Sequence, residues 1–250
     1  MHLYAVGDIH GSAENAKRIV EPIASELTPD DVIVCLGDVG IAYGDHVHDD
    51  LRRFFSDLPC RVLVMRGNHD ARYIRDIEEG AYLGAAHMRE KQWCGIRVLY
   101  DGRDPNILYL PDEGGMFVRN GHACLVLPGA FSVDGDFRRR NGMPFEPQEL
   151  LTAGELAALT AISAEQPVEY VFSHTCPLAW EDDIRYLFFD GLDQSRVDKS
   201  MERAFDTILE NVRPSLRRWY FGHYHDDNND IAGGLGHMRF FDVEAIPELA

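Results

Sequence analysis

The chain has 250 residues, of which 45% are apolar and 26% are charged, and these proportions exclude a disordered chain or a disulfide-stapled miniprotein. Its 24 lysines and arginines are outnumbered by 42 aspartates and glutamates, so the formal net charge is −18. Because proteins that bind nucleic acids usually present a basic surface, this charge argues against a nucleic-acid partner. It does not exclude phosphate chemistry, since salt screens distant charges over about 8 Å and a local cationic centre can dominate.

The sequence also argues against a secretory route or a membrane location. Asp8 interrupts the amino terminus before the apolar core of a signal peptide could form. The longest uncharged stretch, residues 120–133, has 14 residues and contains Gly and Pro, which is too short to span a bilayer. The five cysteines are odd in number and form no CxxC pair, which is typical of reduced thiols. We therefore expect a cytoplasmic protein.

The first half of the chain alternates short apolar runs with helical patterns. Such a βαβα order favours a sheet whose first strands are parallel. The predicted strands are Leu3–Val6, Val32–Leu36 and Arg61–Met65, and the predicted helices follow the N-cap Ser12 and cover His48–Ser56 and Ala71–Glu79.

The second half contains shorter strands and two longer helices. No low-complexity segment or Pro/Ser-rich linker divides the chain, so we expect a single domain over residues 1–250 with mixed strand directions. The predicted strands are Ile96–Tyr100, Ile107–Leu110, Met116–Arg119, Ala123–Leu127, Val168–Phe172 and Arg217–Phe221. The other predicted elements are a turn at Asn120-Gly121, helices over Pro147–Ser163 and Arg196–Asn211, and a closing hairpin of Asp230–Ala232 with Met238–Val243.

Residues that can bind metal ions follow five of these strands. Because the ligand crevice of an open α/β sheet lies at the carboxyl ends of its strands, we expect the side chains to share one rim. Imidazole, carboxylate and amide oxygen without thiolate suit Mn, Fe, Zn, Co or Ni. The candidates are Asp8 and His10 after the first strand, Asp38 after the second, Asn68 and His69 after the third, His174 after Val168–Phe172, and His223 and His225 after Arg217–Phe221.

Each motif alone has an ordinary structural explanation. An aspartate after a strand often forms a turn or caps a helix, and a histidine there is often a hydrogen-bonded core residue. Five separate strand ends with such residues favour one shared site instead. The pairs Asp8/His10 and His223/His225 are two residues apart, so extended backbone would direct both members of a pair to the same side.

The ordered set of motifs resembles the calcineurin-like metallophosphoesterases over about residues 3–243. Asp-x-His, Gly-Asp, Gly-Asn-His-Asp, a lone His and Gly-His-x-His follow one another in the order of that family. The resemblance implies a four-layer αββα sandwich with two mixed β-sheets and a dinuclear metal centre. It also implies that the first ion is held by Asp8, His10 and His225, the second by Asn68, His174 and His223, that Asp38 bridges them, and that His69 is the general acid or transition-state stabiliser.

The expected activity is metal-dependent hydrolysis of the phosphate ester of a small metabolite or nucleotide. Two dications and two aspartates leave a charge of about +2 to receive the phosphate, and a hydroxide held by the metals would attack phosphorus in line. We expect manganese, with Fe, Zn, Co or Ni and a mixed-valence pair as alternatives. The alternative functions are a phosphodiesterase or nuclease that uses the same site, and a non-catalytic metal-binding scaffold.

The sequence departs from the Ser/Thr protein phosphatases of this family. Those enzymes carry an aspartate that supports the catalytic histidine and an arginine that clamps phosphate, where this chain has Ile41 and Ala42. The candidate replacements are Arg66, Arg72 or the Arg138–Arg140 run for the arginine, and Asp45 or Asp70 for the aspartate. The aromatic side chains nearby in the sequence are expected to pack rather than to contact substrate, namely Trp180, Tyr186, Phe188 and Phe189.

Overall fold

The computed structural model describes residues 2–43, 46–72, 87–188 and 193–249. The strands in these residues are β1 Leu3–Val6, β2 Val32–Cys35, β3 Ala42–Tyr43, β4 His46–Val47, β5 Arg61–Val64, β6 Met88–Trp93, β7 Ile96–Asp101, β8 Ile107–Tyr109, β9 Gly115–Arg119, β10 His122–Leu127, β11 Tyr170–Ser173, β12 Arg218–Phe221, β13 Asn228–Ile231, β14 Gly236–Met238 and β15 Val243–Ile246. The α-helices are α1 Ala13–Val20, α2 Asp49–Ser56, α3 Gly135–Arg140, α4 Ala153–Glu165, α5 Glu181–Ile184 and α6 Ser200–Val212.

The larger strands form two mixed sheets. The first sheet has the order β15-β1-β2-β5-β8-β7-β6, and β1, β2, β5 and β8 run parallel at its centre. The second has the order β13-β14-β12-β11-β10-β9, with β10, β11, β12 and β14 parallel. The outer strands of both sheets pair antiparallel. Strands β3 and β4 form a separate small hairpin.

Alternation along the strands divides the core into three layers of side chains. In β1, Leu3 and Ala5 face the second sheet, whereas Tyr4 and Val6 pack with α1 and α2. This period of two is what a strand with apolar neighbours on both faces produces.

The second sheet repeats this alternation toward the other pair of helices. In β12, Tyr220 faces the first sheet, whereas Trp219 and Phe221 pack with α4 and α6. Helices therefore cover the outer face of each sheet, and the predicted four-layer αββα sandwich is confirmed. None of the helices in the described part of the chain is both long and apolar enough to cross a bilayer.

Two of the predicted helices begin later than expected. The helix predicted from Pro147 begins at Ala153 because Thr152 and Glu155 form a capping box. The backbone N–H of Glu155 donates to Thr152 Oγ1 at 3.2 Å, and that of Thr152 donates to Glu155 Oε2 at 2.6 Å. The helix predicted from Arg196 begins at Ser200, after a short 3₁₀ turn.

Three further elements differ from the prediction or lie partly outside the described residues. The closing hairpin is formed by β13 and β14, but Val243 starts a separate strand that adds to the edge of the first sheet. Strand β6 was not predicted, because its sequence Met-Arg-Glu-Lys-Gln-Trp is mostly polar at an edge with exposed side chains. The predicted helix Ala71–Glu79 lies outside the described residues from position 73 onward.

Candidate metal centre

The loops after β1, β2, β5, β11 and β12 bring the seven predicted ligands into one cluster. In one part of it, His10 Nε2 lies 2.9 Å from His225 Nε2, and His225 Nε2 lies 3.2 Å from Asp8 Oδ2. Together these three side chains offer ligand atoms that all lie within 4.8 Å of one another. They are the three residues that the family resemblance implies for the first ion.

The other predicted ligands lie beside this group. His174 Nε2 is 2.9 Å from Asn68 Oδ1 and 3.2 Å from Asp38 Oδ1, and the rings of His174 and His223 are 5.0 Å apart. The second carboxylate oxygen of Asp38 lies 3.8 Å from His10 Nδ1. Asp38 therefore faces both halves of the cluster, as a bridging carboxylate would.

His69 lies at the edge of the cluster, next to Asp38. Its Nδ1 is 3.7 Å from Asp38 Oδ2, and its backbone N–H donates to Asp38 Oδ1 at 2.7 Å. The ring of Tyr43 stacks on that of His69, with centroids 5.2 Å apart and planes inclined by 23°. His10, Asp38 and His69 form a second group whose ligand atoms lie within 4.8 Å of one another. His69 is thus placed both to meet a substrate and to approach an ion.

Two glycines of the motifs allow the backbone to pass close to the carboxylates. A Cβ on Gly67 would lie 2.1 Å from Asp38 Oδ1, and one on Gly222 would lie 2.4 Å from Asp8 Oδ1. Both separations are far below ordinary van der Waals contact, so only glycine fits without displacing the carboxylate.

Several of the predicted ligands have left-handed backbone conformations. The φ angles are +54° for His10, +49° for Asp38, +73° for His223 and +55° for His225. Turns therefore bring together the members of the pairs Asp8/His10 and His223/His225, and the prediction of extended backbone for these pairs is wrong. Each such conformation costs of the order of 1–3 kcal/mol and persists where surrounding contacts fix it. The carbonyl of Asp38 provides one such contact, because it accepts the backbone N–H of His10 at 2.8 Å.

The two aspartates are buried, at 0% exposure for Asp8 and 2% for Asp38. Burial would raise the pKa of Asp38, but the charges of His174, His69 and His10 hold that pKa well below 3.8. Burial likewise disfavours the charged form of His174, but the attraction of Asp38 raises the pKa of His174 to about 9. Buried carboxylates of this kind need positive charge nearby. In the protein without metal, protonated histidine supplies that charge.

The pKa values of His223 and His225 are shifted in opposite directions. Burial and the charge of His174 lower the pKa of His223 to about 3, so its imidazole is neutral and has a free lone pair. Hydrogen bonding to Asp8 raises the pKa of His225. Carboxylate, neutral imidazole and amide oxygen converge here, and this donor chemistry fits divalent cations of the first transition row.

A surrounding set of hydrogen bonds orients these donors. His174 donates from Nδ1 to the carbonyl of Leu36 at 2.7 Å, which leaves Nε2 directed toward Asn68 and Asp38. Asn68 donates from Nδ2 to Ser132 Oγ at 2.9 Å, which directs its Oδ1 toward His174. The sequence gives no signal for Ser132, which lies 64 residues from Asn68. Such partners fix the orientation of ligands and tune their affinity for metal.

Asp70 braces two of the loops that carry the donors. Its Oδ1 accepts the N–H of Gly40 at 2.7 Å, and its Oδ2 accepts those of Val39 at 3.1 Å and Gly67 at 2.8 Å. Burial, followed by the charge of Asp38, raises the pKa of Asp70 to about 7. These contacts favour a role for Asp70 in holding the two loops rather than in orienting His69. The other candidate for orienting His69, Asp45, lies outside the described residues.

The candidate arginines differ in position. Arg66 donates to the carbonyl of Glu149 at 2.6 Å, and Arg72 donates to that of Gln148 at 2.8 Å and pairs with Glu155 at 2.9 Å. Both anchor the segment that precedes α4, and neither is among the described residues that line the cavity at the cluster.

A cavity of about 510 Å³ opens onto the cluster. Its lining includes Asn68, His69 and Arg138, together with the apolar side chains of Leu187 and Phe188. Phe188, which was expected only to pack, therefore also borders the space that a substrate would enter. A larger cavity of about 660 Å³ beside α3 is lined by none of the predicted ligands. Phe189 lies outside the described residues.

Comparison with known proteins agrees with this geometry. A search of curated proteins gave no match. A family model described as calcineurin-like phosphoesterase matches residues 1–227. That range contains all seven predicted ligands and His69. The family consists of metal-dependent phosphoester hydrolases with a dinuclear site for divalent metals. The chain belongs to the calcineurin-like phosphoesterase family.

Proposed function

We propose that this protein hydrolyses small phosphate esters in the cytoplasm, as a single domain that uses two divalent ions. The observation that carries the proposal is the convergence of seven metal-binding donors around the buried carboxylates of Asp8 and Asp38, next to an open cavity. A scaffold without catalytic function would need neither the cavity nor His69 beside the donors. The five cysteines form no disulfide, and this agrees with the proposed cytoplasmic location.

The donor chemistry supports the assignment of the two sites that the family resemblance implies. When bound, the two ions supply Lewis-acid activation of water and neutralise charge on the phosphoryl oxygens. We assign Asp38 to both ions, because its two oxygens face different histidines. The remaining donors are divided between a first site of Asp8, His10 and His225 and a second site of Asn68, His174 and His223. Manganese is the proposed metal, with Fe, Zn, Co or Ni as alternatives.

His69 is the proposed hydrogen-bond or proton donor to the leaving oxygen. Burial lowers the pKa of His69 below 6.5, although Asp38 opposes this effect. Near neutral pH the imidazole of the protein without metal is therefore mostly neutral, and it donates through one ring N–H. Tyr43 positions this ring by stacking on it, and Tyr43 is itself fixed by donating its hydroxyl to the carbonyl of Pro144 at 2.9 Å.

The cavity supports a small substrate. Its volume of about 510 Å³ lies in the range of sites for small molecules, and its apolar side at Leu187 and Phe188 suits an organic leaving group. The net charge of −18 disfavours a nucleic-acid strand as the substrate.

The test is hydrolysis of p-nitrophenyl phosphate and of bis(p-nitrophenyl) phosphate by metal-stripped protein after addition of Mn, Zn, Fe or Mg. We expect turnover with at least one metal. Asp38→Asn should lower kcat by about a hundredfold or more and weaken binding of both ions measured by calorimetry. The matched control is Asp182→Asn, since the Asp182 side chain is 83% exposed. Absence of turnover with every metal would favour the scaffold instead.

A further inference from the structure

Arg138 is the arginine that the fold directs to the candidate metal centre. It lies on α3, and its side chain is 18% exposed and lines the same cavity as Asn68 and His69. Its Nε donates to Asp134 Oδ2 at 2.6 Å, and its Nη1 approaches the carbonyl of Pro144 at 3.5 Å. Within the part of the chain that the structure describes, its Nη2 has no hydrogen-bond partner. Two of the three guanidinium nitrogens are therefore engaged, and Nη2 remains available to a ligand.

The next arginine on the same helix points elsewhere. Arg139 is 59% exposed, pairs with Asp136 and lies over the ring of Phe145, 4.9 Å from its centroid. It lines the larger cavity beside α3 and not the one at the metal centre. Of the Arg138–Arg140 run, only Arg138 is among the described residues that line the cavity at the centre.

The neighbours of Arg138 connect it to His69. Its Nη1 and the hydroxyl of Tyr43 both approach the carbonyl oxygen of Pro144, at 3.5 and 2.9 Å. Tyr43 in turn stacks on His69. The guanidinium therefore shares a backbone acceptor with the residue that stacks on His69.

We propose that Arg138 binds the nonbridging phosphate oxygen that the two ions do not neutralise, and that it thereby makes the centre selective for monoesters. This inference rests on the proposed function. A monoester phosphate has three nonbridging oxygens, so one remains for the guanidinium after each ion has taken one. A diester carries an alkoxy group in that position, which accepts a charge-assisted hydrogen bond poorly.

The pairing of Arg138 with Asp134 determines how this selection works. Because the carboxylate compensates the charge of the guanidinium, the pair contributes little long-range attraction for anions. We therefore infer that its effect is directional, through the N–H groups of Nη2. A lysine at position 138 keeps the charge but lacks the planar fork, so it should not replace arginine.

The test compares kcat/KM for p-nitrophenyl phosphate and bis(p-nitrophenyl) phosphate in the Mn-loaded wild type, Arg138→Ala, Arg138→Lys and Arg139→Ala. Both Arg138 variants should lose about 10- to 100-fold on the monoester and less than about threefold on the diester. Arg139→Ala should stay within about twofold on both esters. Equal losses on the two esters, or no loss in either Arg138 variant, would overturn the inference.

A binding measurement separates this inference from the proposed function. Calorimetry of the Mn-loaded protein with inorganic phosphate should show affinity about tenfold weaker in Arg138→Ala, with unchanged binding of dimethyl phosphate. If the wild type hydrolyses neither ester with any metal, the proposed function fails, and this titration still decides the role of Arg138. Unchanged phosphate affinity in both Arg138 variants would refute it. Melting temperatures of all variants identify any loss that comes from misfolding.

Discussion

Replacing Gly67 by alanine should disrupt the candidate metal centre through a single methyl group. The added Cβ would lie 2.1 Å from Asp38 Oδ1, 2.4 Å from the backbone N of Asp38 and 2.6 Å from His174 Nε2. Real Cβ atoms essentially never approach other atoms within 3.0 Å. Because one of these neighbours is backbone, rotation of a side chain cannot relieve the contact. The loop after β2 or the loop after β5 must therefore move by about 1 Å.

Two consequences of different size follow from this displacement. Overpacking of this kind usually costs about 1–3 kcal/mol of folding free energy. A misplacement of about 1 Å in catalytic groups can cost about a hundredfold in rate. The movement would also strain the hydrogen bond from the Gly67 N–H to Asp70, which ties the two loops together. Gly67→Ala should therefore lose metal affinity and activity to a much greater extent than it loses stability.

The assay combines urea unfolding, calorimetric titration with Mn and hydrolysis of p-nitrophenyl phosphate. Gly154→Ala is the matched control, because Gly154 lies in α4 and the nearest atom to its added Cβ, Thr152 Oγ1, is 4.0 Å away. That substitution should stabilise the protein by about 0.5–1 kcal/mol, since alanine is the better helix former. If Gly67→Ala bound both ions with affinity within about threefold of the wild type, the close packing of the centre would be refuted.

Two further predictions concern His69 and Glu202. Glu202 is a buried residue of α6 that accepts the hydroxyl of Thr175, the residue after His174, at 3.0 Å. His69→Gln should lower kcat about 10²- to 10⁴-fold while metal affinity is retained, and a parallel loss of metal affinity by calorimetry would identify His69 as a ligand instead. Burial raises the pKa of Glu202 from 4.5 to about 7, so the folded state binds its proton more tightly and stability falls as pH rises through this range. Glu202→Gln removes this effect. Between pH 5 and pH 8, the free energy of unfolding of the variant, measured with urea, should therefore rise by up to about 3 kcal/mol relative to that of the wild type. An equal difference between variant and wild type at the two pH values would contradict this prediction.

The predicted donors lie together in the structure because each motif describes a local turn at the end of a strand. Gly67 followed by Asn68, for example, combines a residue that lets the backbone approach closely with one that offers an amide oxygen. The parallel order of the central strands then places these turns at one edge. The expectation about backbone geometry was wrong, because two-residue spacing says nothing about φ, and His223 and His225 lie in the left-handed region.

The residues that the sequence did not reveal act across long stretches of chain. Ser132 orients Asn68 over a separation of 64 residues, and no local pattern marks it. The sequence left Arg138 as one of several candidate arginines, and only packing separates it from Arg66, which donates to buried carbonyl groups instead. Periodicity likewise missed β6, whose polar edge position removes the apolar alternation that identifies a half-buried strand.

Contacts between donors from both sheets make the centre a point of attachment between the two sheets. Asp8 and Asp38 follow strands of the first sheet, and His174 and His225 follow strands of the second. In the protein without metal, Asp38 and Asp8 raise the pKa of His174, so a proton stabilises this junction. Metal ions must displace that proton because they bind neutral imidazole, and their affinity should therefore rise with pH. Ions that bind only the assembled loops stabilise the folded protein by mass action. In the presence of metal, a rise in pH should therefore strengthen the attachment of the two sheets, whereas without metal the loss of the His174 proton should weaken it.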